Sequence, residues 1–302
     1  MQHWHGYEAT PTGWGRSVAT IGMFDGVHRG HQALIGQAVE RARHLGLRSV
    51  VVTFDPHPAA VARPGSYPAI LTHLERKAEL IAALGADGLC VIPFTPEFSR
   101  LPAEEFVRDV LVGHLRAAWV VVGENFRFGH RAAGDVALLD RLGRTFRVEG
   151  APLVVADRTT FSSTYVRSCL AAGDVAGAAA ALGRPHRIEG ILAPSGRANC
   201  HPTAVLRCDP RAAMPADGVY AARLAGPSEN LPAVVSIDTR SDLSGPERRI
   251  EVRLPDVGGH LHGERLGLDF VARLRQTTQR GAVGSPIHQS GQDAVGMRAV
   301  LS

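Results

Sequence analysis

Two histidines three positions apart, His28 and His31, stand in IGMFDGVHRGHQALI (residues 21–35) between an apolar run and an amphipathic one. Imidazoles at the mouth of a helix can donate hydrogen bonds to the non-bridging oxygens of a phosphate chain. The free N–H groups and positive dipole end found there favour the same guest. Gly22, Gly26 and Gly30 let the backbone approach such a ligand closely, with Phe24 and Asp25 inside the same turn. The chemistry this suits is phosphoryl-type transfer, in which charge builds on a leaving pyrophosphate and must be stabilised. By itself, H-x-G-H also describes two surface histidines or part of a metal site. Embedded in G-x-F-D-G-V-H-x-G-H behind a strand, it is a far more specific signal.

Three more stretches carry phosphate-compatible groups. FSSTYVR (161–167) opens a helix with Ser162, Ser163 and Thr164, an ordinary N-cap, and adds Arg167, whose guanidinium would turn back toward the helix mouth as a phosphate clamp. In TFDPHP (53–58), two prolines present Asp55 and His57, and a structural turn accounts for this as well as a site does. GENFRFG (123–129) offers Asn125, either for phosphate and metal-bound water or for an unusual turn dihedral. Neither the P-loop pattern G-x-x-x-x-G-K-[ST] nor the serine elbow G-x-S-x-G occurs, which argues against both hydrolase classes.

These loops need a scaffold, and the sequence supplies one. SVATIGMF (17–24), RSVVVTF (48–54), GLCVIPF (88–94), AWVVVG (118–123) and APLVVA (151–156) read as strands covered on both faces. Amphipathic runs between them read as crossover helices, so the expected fold is a doubly wound parallel α/β sheet of Rossmann-like type. Ligands bind such sheets beyond the carboxyl ends of the strands, where all four loops fall. A further helical stretch ends at Gly183. After RPHRIEG the texture shifts to short alternating segments, GVYAARLAG, PAVVSID, RIEVRLPD and ERLGLDFVARL, which suggest a small antiparallel β-barrel. The expected domains are 1–186 and 187–302. Beyond Gln276 periodicity is lost and Gly rises, so the pattern leaves the order of the tail open.

Hydrophobic residues at 45% and charged ones at 21% of 302 describe a globular chain rather than a disordered or membrane one. The formal charge of +4 comes from arginines spread along the chain, with no basic block for nucleic acid. Cys90, Cys169, Cys200 and Cys208 lack zinc-site spacing, and no targeting segment or membrane span is evident, so reduced thiols and a cytoplasmic location are expected.

In order and spacing, GMFDGVHRGHQ, TFDPHP, GENFRFG and SSTYVR resemble the bacterial bifunctional riboflavin kinase/FAD synthetase family, closely over residues 17–186 and loosely beyond. The resemblance implies a nucleotidyltransferase that joins ATP and FMN into FAD and pyrophosphate with Mg2+. It places His28 and His31 on the ATP phosphates and Asn125 on phosphate and metal. Ser163, Thr164 and Arg167 fall on the pyrophosphate, and Gly22, Phe24, Asp25, Gly30 and His57 in the nucleotide loops. Met23 stands where the family often has Asn. The family's kinase signature, G-R-x-L-G-F-P-T-A-N, meets GRANCHPTAV (196–205) here: Thr203 survives, but Val205 replaces the Asn that shares the magnesium and phosphate site, and valine gives a metal no oxygen. Glu251 stands where a catalytic base would, or is a solvent-side residue of an alternating strand. The expectation is an FAD synthetase with the riboflavin kinase lost, small-molecule partners, and a barrel serving as scaffold, oligomerisation surface or flavin module. Alternatives are transfer to another phosphorylated acceptor, or a non-catalytic flavin-binding protein.

Overall fold

Continuous apolar strands flanked by amphipathic helices build the sheet of the first unit in the computed structural model, which describes residues 1–65, 67–152, 154–156, 159–194, 203–226, 230–242, 245–254, 263–276 and 286–301. Packing divides the chain into Met1–Pro68 with Thr72–Ser162, and Ala69–Leu71 with Ser163–Ser302.

The first unit holds β1 (Gln2–His5), β2 (Ser17–Ile21), β3 (Arg48–Asp55), β4 (Gly88–Pro93), β5 (Ala117–Gly123) and β6 (Arg147–Ala151) in the order β1-β4-β3-β2-β5-β6. Every pairing is parallel. β2 is buried at all five positions. From it the chain winds outward through β3 and β4 on one side and through β5 and β6 on the other. The switch point, where such sheets bind ligands, therefore lies between β2 and β5.

Helices α1 (Arg29–Leu45), α2 (Pro58–Ala62), α3 (Leu74–Ala83), α4 (Ala103–Glu105), a π-helical turn run over Phe106–His114, and α5 (Val136–Leu142) complete the unit. α1 buries Ile35, Ala38, Val39 and Ala42, a stripe at helical spacing. One core cluster joins Ile35 and Val39 to Phe24, Val27, Val51, Ile81 and Leu89; another joins Ile21, Val52 and Ile92 to Phe106, Val110 and Leu111.

Two sheet elements differ from expectation. β1, the short segment QHWH, adds an edge strand beside β4. The last strand is β6 at Arg147–Ala151, not 151–156, where β7 (Val155–Ala156) instead pairs with β8 (Thr159–Thr160) in a hairpin. Both are edge strands and need no continuous apolar run: Glu149 of β6 accepts hydrogen bonds from Arg41 at 2.9 Å and from the Trp119 indole at 3.2 Å.

In the second unit the expected helical stretch becomes α6 (Ser163–Ala172) and α7 (Val175–Leu182), broken at Gly173 with φ 77°. Asp174 caps α7 by accepting from the Gly177 N–H at 2.8 Å. α7 packs on the barrel strands β9 (His186–Pro194) and β14 (Arg265–Arg275), so packing groups residues 163–186 with the barrel. The barrel is closed in the order β10-β13-β12-β11-β14-β9 with β10 (Thr203–Cys208), β11 (Gly218–Ala225), β12 (Asn230–Asp242) and β13 (Gly245–Arg253), all antiparallel.

The tail, whose order the sequence leaves open, forms α8 over Pro286–Leu301. Among the described residues, three contacts hold it, and Arg223 donating to the Leu301 carbonyl at 2.6 Å is one. Buried Met297 joins Val219, Ala221 and Val234, and buried Asp293 takes a bidentate pair of 2.9 Å bonds from Arg275. Cys90, Cys169 and Cys208 are free thiols, and burial pushes Cys90 up to about 12. Among the described residues no helix is long and apolar enough to cross a membrane. Asp293→Ala would leave the half-exposed Arg275 guanidinium to water and is expected to cost about 1–2 kcal/mol, read as an earlier urea midpoint of the full-length protein by far-UV circular dichroism.

Candidate functional site

β2 ends at Ile21, and Gly22 still donates to the Val52 carbonyl at 3.1 Å. The chain then turns sharply: Phe24 has φ 49°, Gly26 84° and Val27 40°. Left-handed backbone is ordinary for glycine and costly for a β-branched valine. Burial holds it there, because Phe24 and Val27 are both almost wholly enclosed in the core under α1 and α3.

The turn delivers His28 as the N-cap of α1, where its Nδ1 accepts from the His31 N–H at 3.3 Å. An Nδ1 that accepts puts the proton of the neutral ring on Nε2, leaving that atom as a donor. His28 and His31 stack at 3.6 Å between centroids, and Phe24 packs edge-on to His31 at 5.2 Å. A Cβ on Gly30 would stand 3.0–3.1 Å from His28 ring atoms and 3.4 Å from the Phe161 carbonyl, so the stacked ring occupies the space that the glycine vacates. The first turn of α1 carries no acidic residue. The positive end of a 17-residue helix is thus capped by imidazoles rather than by a carboxylate, the polarity that an anion requires.

The His31 Nδ1 is buried with no hydrogen-bond partner among the described residues. Burial first, then His28 and Lys77, hold its pKa well below the ordinary 6.5. A neutral imidazole therefore waits at the helix mouth.

The other sequence-derived residues sit on separate loops. Asp25 is buried, its Oδ1 accepting from the Thr72 N–H at 3.1 Å, and Gly26 N–H donates to Thr72 Oγ1 at 3.0 Å. His57 caps α2, its Nδ1 accepting from the Ala59 N–H at 3.0 Å. Asn125 is exposed in the turn after β5 that is closed by Phe126 N–H to the Gly123 carbonyl at 2.9 Å. It lies on the β5 side of the switch point. Ser163, Thr164 and Arg167 open α6 in the second unit, where Arg167 Nε donates to the Ala69 carbonyl at 2.6 Å.

In the barrel, Gly196 to Pro202 lie outside the described residues, and Thr203 begins β10 opposite Arg253. Val205 pairs with Glu251 across β10 and β13, and Glu251 pairs with Ser236 of β12. These three share the less buried parity, whereas Ala204, Leu206, Ile250 and Val252 are buried. Glu251 lies 3.3 Å from Arg249 in an ion pair.

Sequence reasoning missed Lys77, Thr72, Thr53 and Gln32, all of which bond the β2 loop. Lys77 carries a legible signal: with Leu74 and Ile81 it occupies one stripe of α3, where a lysine interrupts apolar spacing.

A family model described as FAD synthetase matches residues 11–165, and one described as riboflavin kinase matches 182–301. The chain is 36% identical over 264 residues to a bifunctional riboflavin kinase/FMN adenylyltransferase of Escherichia coli K12, covering 85% of this chain and 84% of that one. The relative of the same description from Pseudomonas fluorescens is 38% identical over 265 residues (86% and 85%), and that from Listeria monocytogenes 33% over 292 (94% and 92%). A crystal structure described as a macrolide-efflux protein from Streptococcus pneumoniae superposes with a TM-score of 0.89 at 27% identity, covering 99% of each chain.

The depressed pKa of His31 makes the first unit acid-sensitive. An unfolded chain takes up this proton at the ordinary value near 6.5, whereas the folded protein refuses it until well below, so stability falls as pH drops through that window. All three tryptophans, Trp4, Trp14 and Trp119, belong to this unit. Urea midpoints by tryptophan fluorescence are expected to fall between about pH 7 and pH 5 with a slope up to about 1.4 kcal/mol per pH unit, and His31→Gln to flatten that dependence.

Proposed function

The chain belongs to the bifunctional riboflavin kinase/FMN adenylyltransferase family, and from that premise we propose that it takes preformed FMN, adenylylates it in the first unit, and no longer phosphorylates riboflavin in the second. The adenylyl transfer makes it a nucleotidyltransferase. The stacked imidazole pair at the acid-free mouth of α1, beside the switch point of the sheet, is the observation that carries this reading.

In the reaction a phosphate oxygen of FMN attacks the α-phosphorus of ATP. A new P–O bond forms, the bond to the α–β bridging oxygen breaks, and pyrophosphate leaves with the electron pair. The nucleophile is already an anion, so no general base is needed. The protein's work is alignment and stabilisation of the charge on the departing group. His28, through Nε2–H, and His31 suit the phosphate oxygens, with the helix dipole adding to both. Among the described residues no group of three or more His, Cys, Asp or Glu could hold a metal ion. A hard cation carried on the substrate phosphates with one neutral protein oxygen fits these residues, and the exposed Asn125 amide offers that oxygen. Mg2+ held this way would neutralise part of the triphosphate charge. Ser163, Thr164 and Arg167 are assigned to the pyrophosphate by the family pattern.

Loss of the kinase rests on the barrel's polar row. Directly across from the Glu251 carboxylate stands Val205, whose side chain offers neither donor nor acceptor. Arg249 lies 3.3 Å from the same carboxylate in an ion pair, so that oxygen already has a partner.

Incubation with Mg2+, ATP and either FMN or riboflavin, with the flavins separated by chromatography, is expected to give FAD from FMN and neither FMN nor FAD from riboflavin. FMN formed from riboflavin would refute the kinase loss; no FAD from FMN would refute the synthetase. His28→Ala and His31→Ala are each expected to lower kcat about 100-fold, the scale of one lost oxyanion donor, with the fold retained. Val205→Asn alone is expected not to restore riboflavin phosphorylation, because residues 199–201 also depart from the family pattern.

A further inference from the structure

Lys77 projects from α3 with only 6% of its surface exposed. Its ammonium makes one hydrogen bond, to the Met23 carbonyl at 2.9 Å, and no ion pair among the described residues. An ammonium has three donors, and a buried cation held by a single neutral partner is expensive to maintain. Such costs are typically borne where an anion is due to arrive.

The partner of that bond matters. Met23 lies between the end of β2 and Phe24, the first left-handed residue of the turn, and its carbonyl also accepts from Thr53 Oγ1 of β3 at 3.1 Å. Five residues before Lys77, Thr72 grips the next part of the loop at Asp25 and Gly26. Gln32 of α1 closes the series by donating to the Val27 carbonyl at 2.8 Å. Every residue from 23 to 27 except Phe24 is thus hydrogen-bonded to a neighbouring element, and Phe24 is buried in the core.

We propose that Lys77 is a positioning residue for the adenylyl transfer: through the Met23 carbonyl it fixes the strained β2 loop that aims His28 and His31, and its buried charge readies that loop for the nucleotide's phosphates. The inference rests on the adenylyltransferase reading of this unit and deepens it. A second effect follows from the same placement. His31 is faced by His28 from its own helix mouth and by Lys77 from α3, while Asp25 and Asp55 act on Lys77. The lysine's charge opposes a proton on His31, and so helps to keep that ring neutral.

Full-length wild type, Lys77→Met and Lys77→Gln would be compared in FAD synthesis from FMN and MgATP, in urea stability, and in the NMR titration of the His31 ring without ligand. Lys77→Met is expected to fold, to lose about 100-fold in kcat with the KM for FMN unchanged, and to titrate His31 at higher pH, nearer the ordinary value. Lys77→Gln, which keeps a donor without the charge, is expected to recover part of kcat but not the titration. Wild type that makes no FAD overturns the adenylyltransferase reading, while the titration, taken without substrate, still judges Lys77. A Lys77→Met protein with wild-type kcat and an unmoved His31 titration overturns the inference and leaves that reading standing. If Lys77→Met does not fold, Lys77→Gln with both quantities at wild-type values overturns it equally.

Discussion

Everything at the first unit's ligand edge depends on two buried side chains that force an unfavourable backbone. Phe24 and Val27 drop into the core beneath the sheet's mouth, each adding about 2–3 kcal/mol of apolar burial. Left-handed dihedrals at those residues cost about 1–3 kcal/mol each. Burial outweighs or balances the strain, so the loop has one shape instead of many. That shape ends the strand, turns the chain and leaves His28 as the first residue of the helix mouth. The hydrophobic core here does more than stabilise; it aims the imidazoles.

The same small volume manages charge by omission. α1 begins without an acidic side chain, its cap is an imidazole, and the neighbouring ring stays neutral. Asp25, a buried carboxylate nearby, accepts from the Thr72 backbone. A mouth of this kind carries a positive end, oriented N–H donors and a buried lysine that, among the described residues, no carboxylate pairs with directly. Water satisfies such groups poorly once they are enclosed, and a polyphosphate satisfies them well. On the proposed reading, selectivity for an anion comes from what was left out of the first turn as much as from what was put in.

How much of this the sequence revealed follows from where each signal is local. The histidines, the glycines and the strand preceding them declare themselves within fifteen residues, because turn chemistry and helix capping are short-range. The central strands were equally plain, since burial on both faces demands a continuous apolar run. Edge strands escaped notice for the converse reason: β1 and β6 are covered on fewer sides and tolerate His3, His5 and Glu149. α8 escaped because an ion pair, a bond from Arg223 to the Leu301 carbonyl and the packing of Met297 hold its described residues, none of which creates a stripe in the sequence. Lys77 lies about fifty residues from the loop it pins, and only folding brings α3 against Met23. A lysine on the apolar stripe of a short helix was the one local hint, and it looks like an ordinary surface residue until the partner carbonyl is known.

The kinase loss proposed for the barrel would leave its fold intact. Strand parity separates the two: Ala204 with Val252 and Leu206 with Ile250 pair on the buried face and carry the packing. Val205, Glu251 and Ser236 line the opposite parity, where side chains are partly solvated. A change from amide to isopropyl at position 205 removes an oxygen from that row and leaves every buried pair untouched. Valine also suits a strand at least as well as asparagine does. Selection for a stable closed barrel therefore exerts no pull toward the amide; only selection for phosphoryl transfer would. α8, which covers Val219, Ala221 and Val234 elsewhere on the barrel, and α7, which packs on β9 and β14, likewise make no demand on position 205. The scaffold and the activity are separable at the level of single residues, which is the physical condition for one to outlast the other.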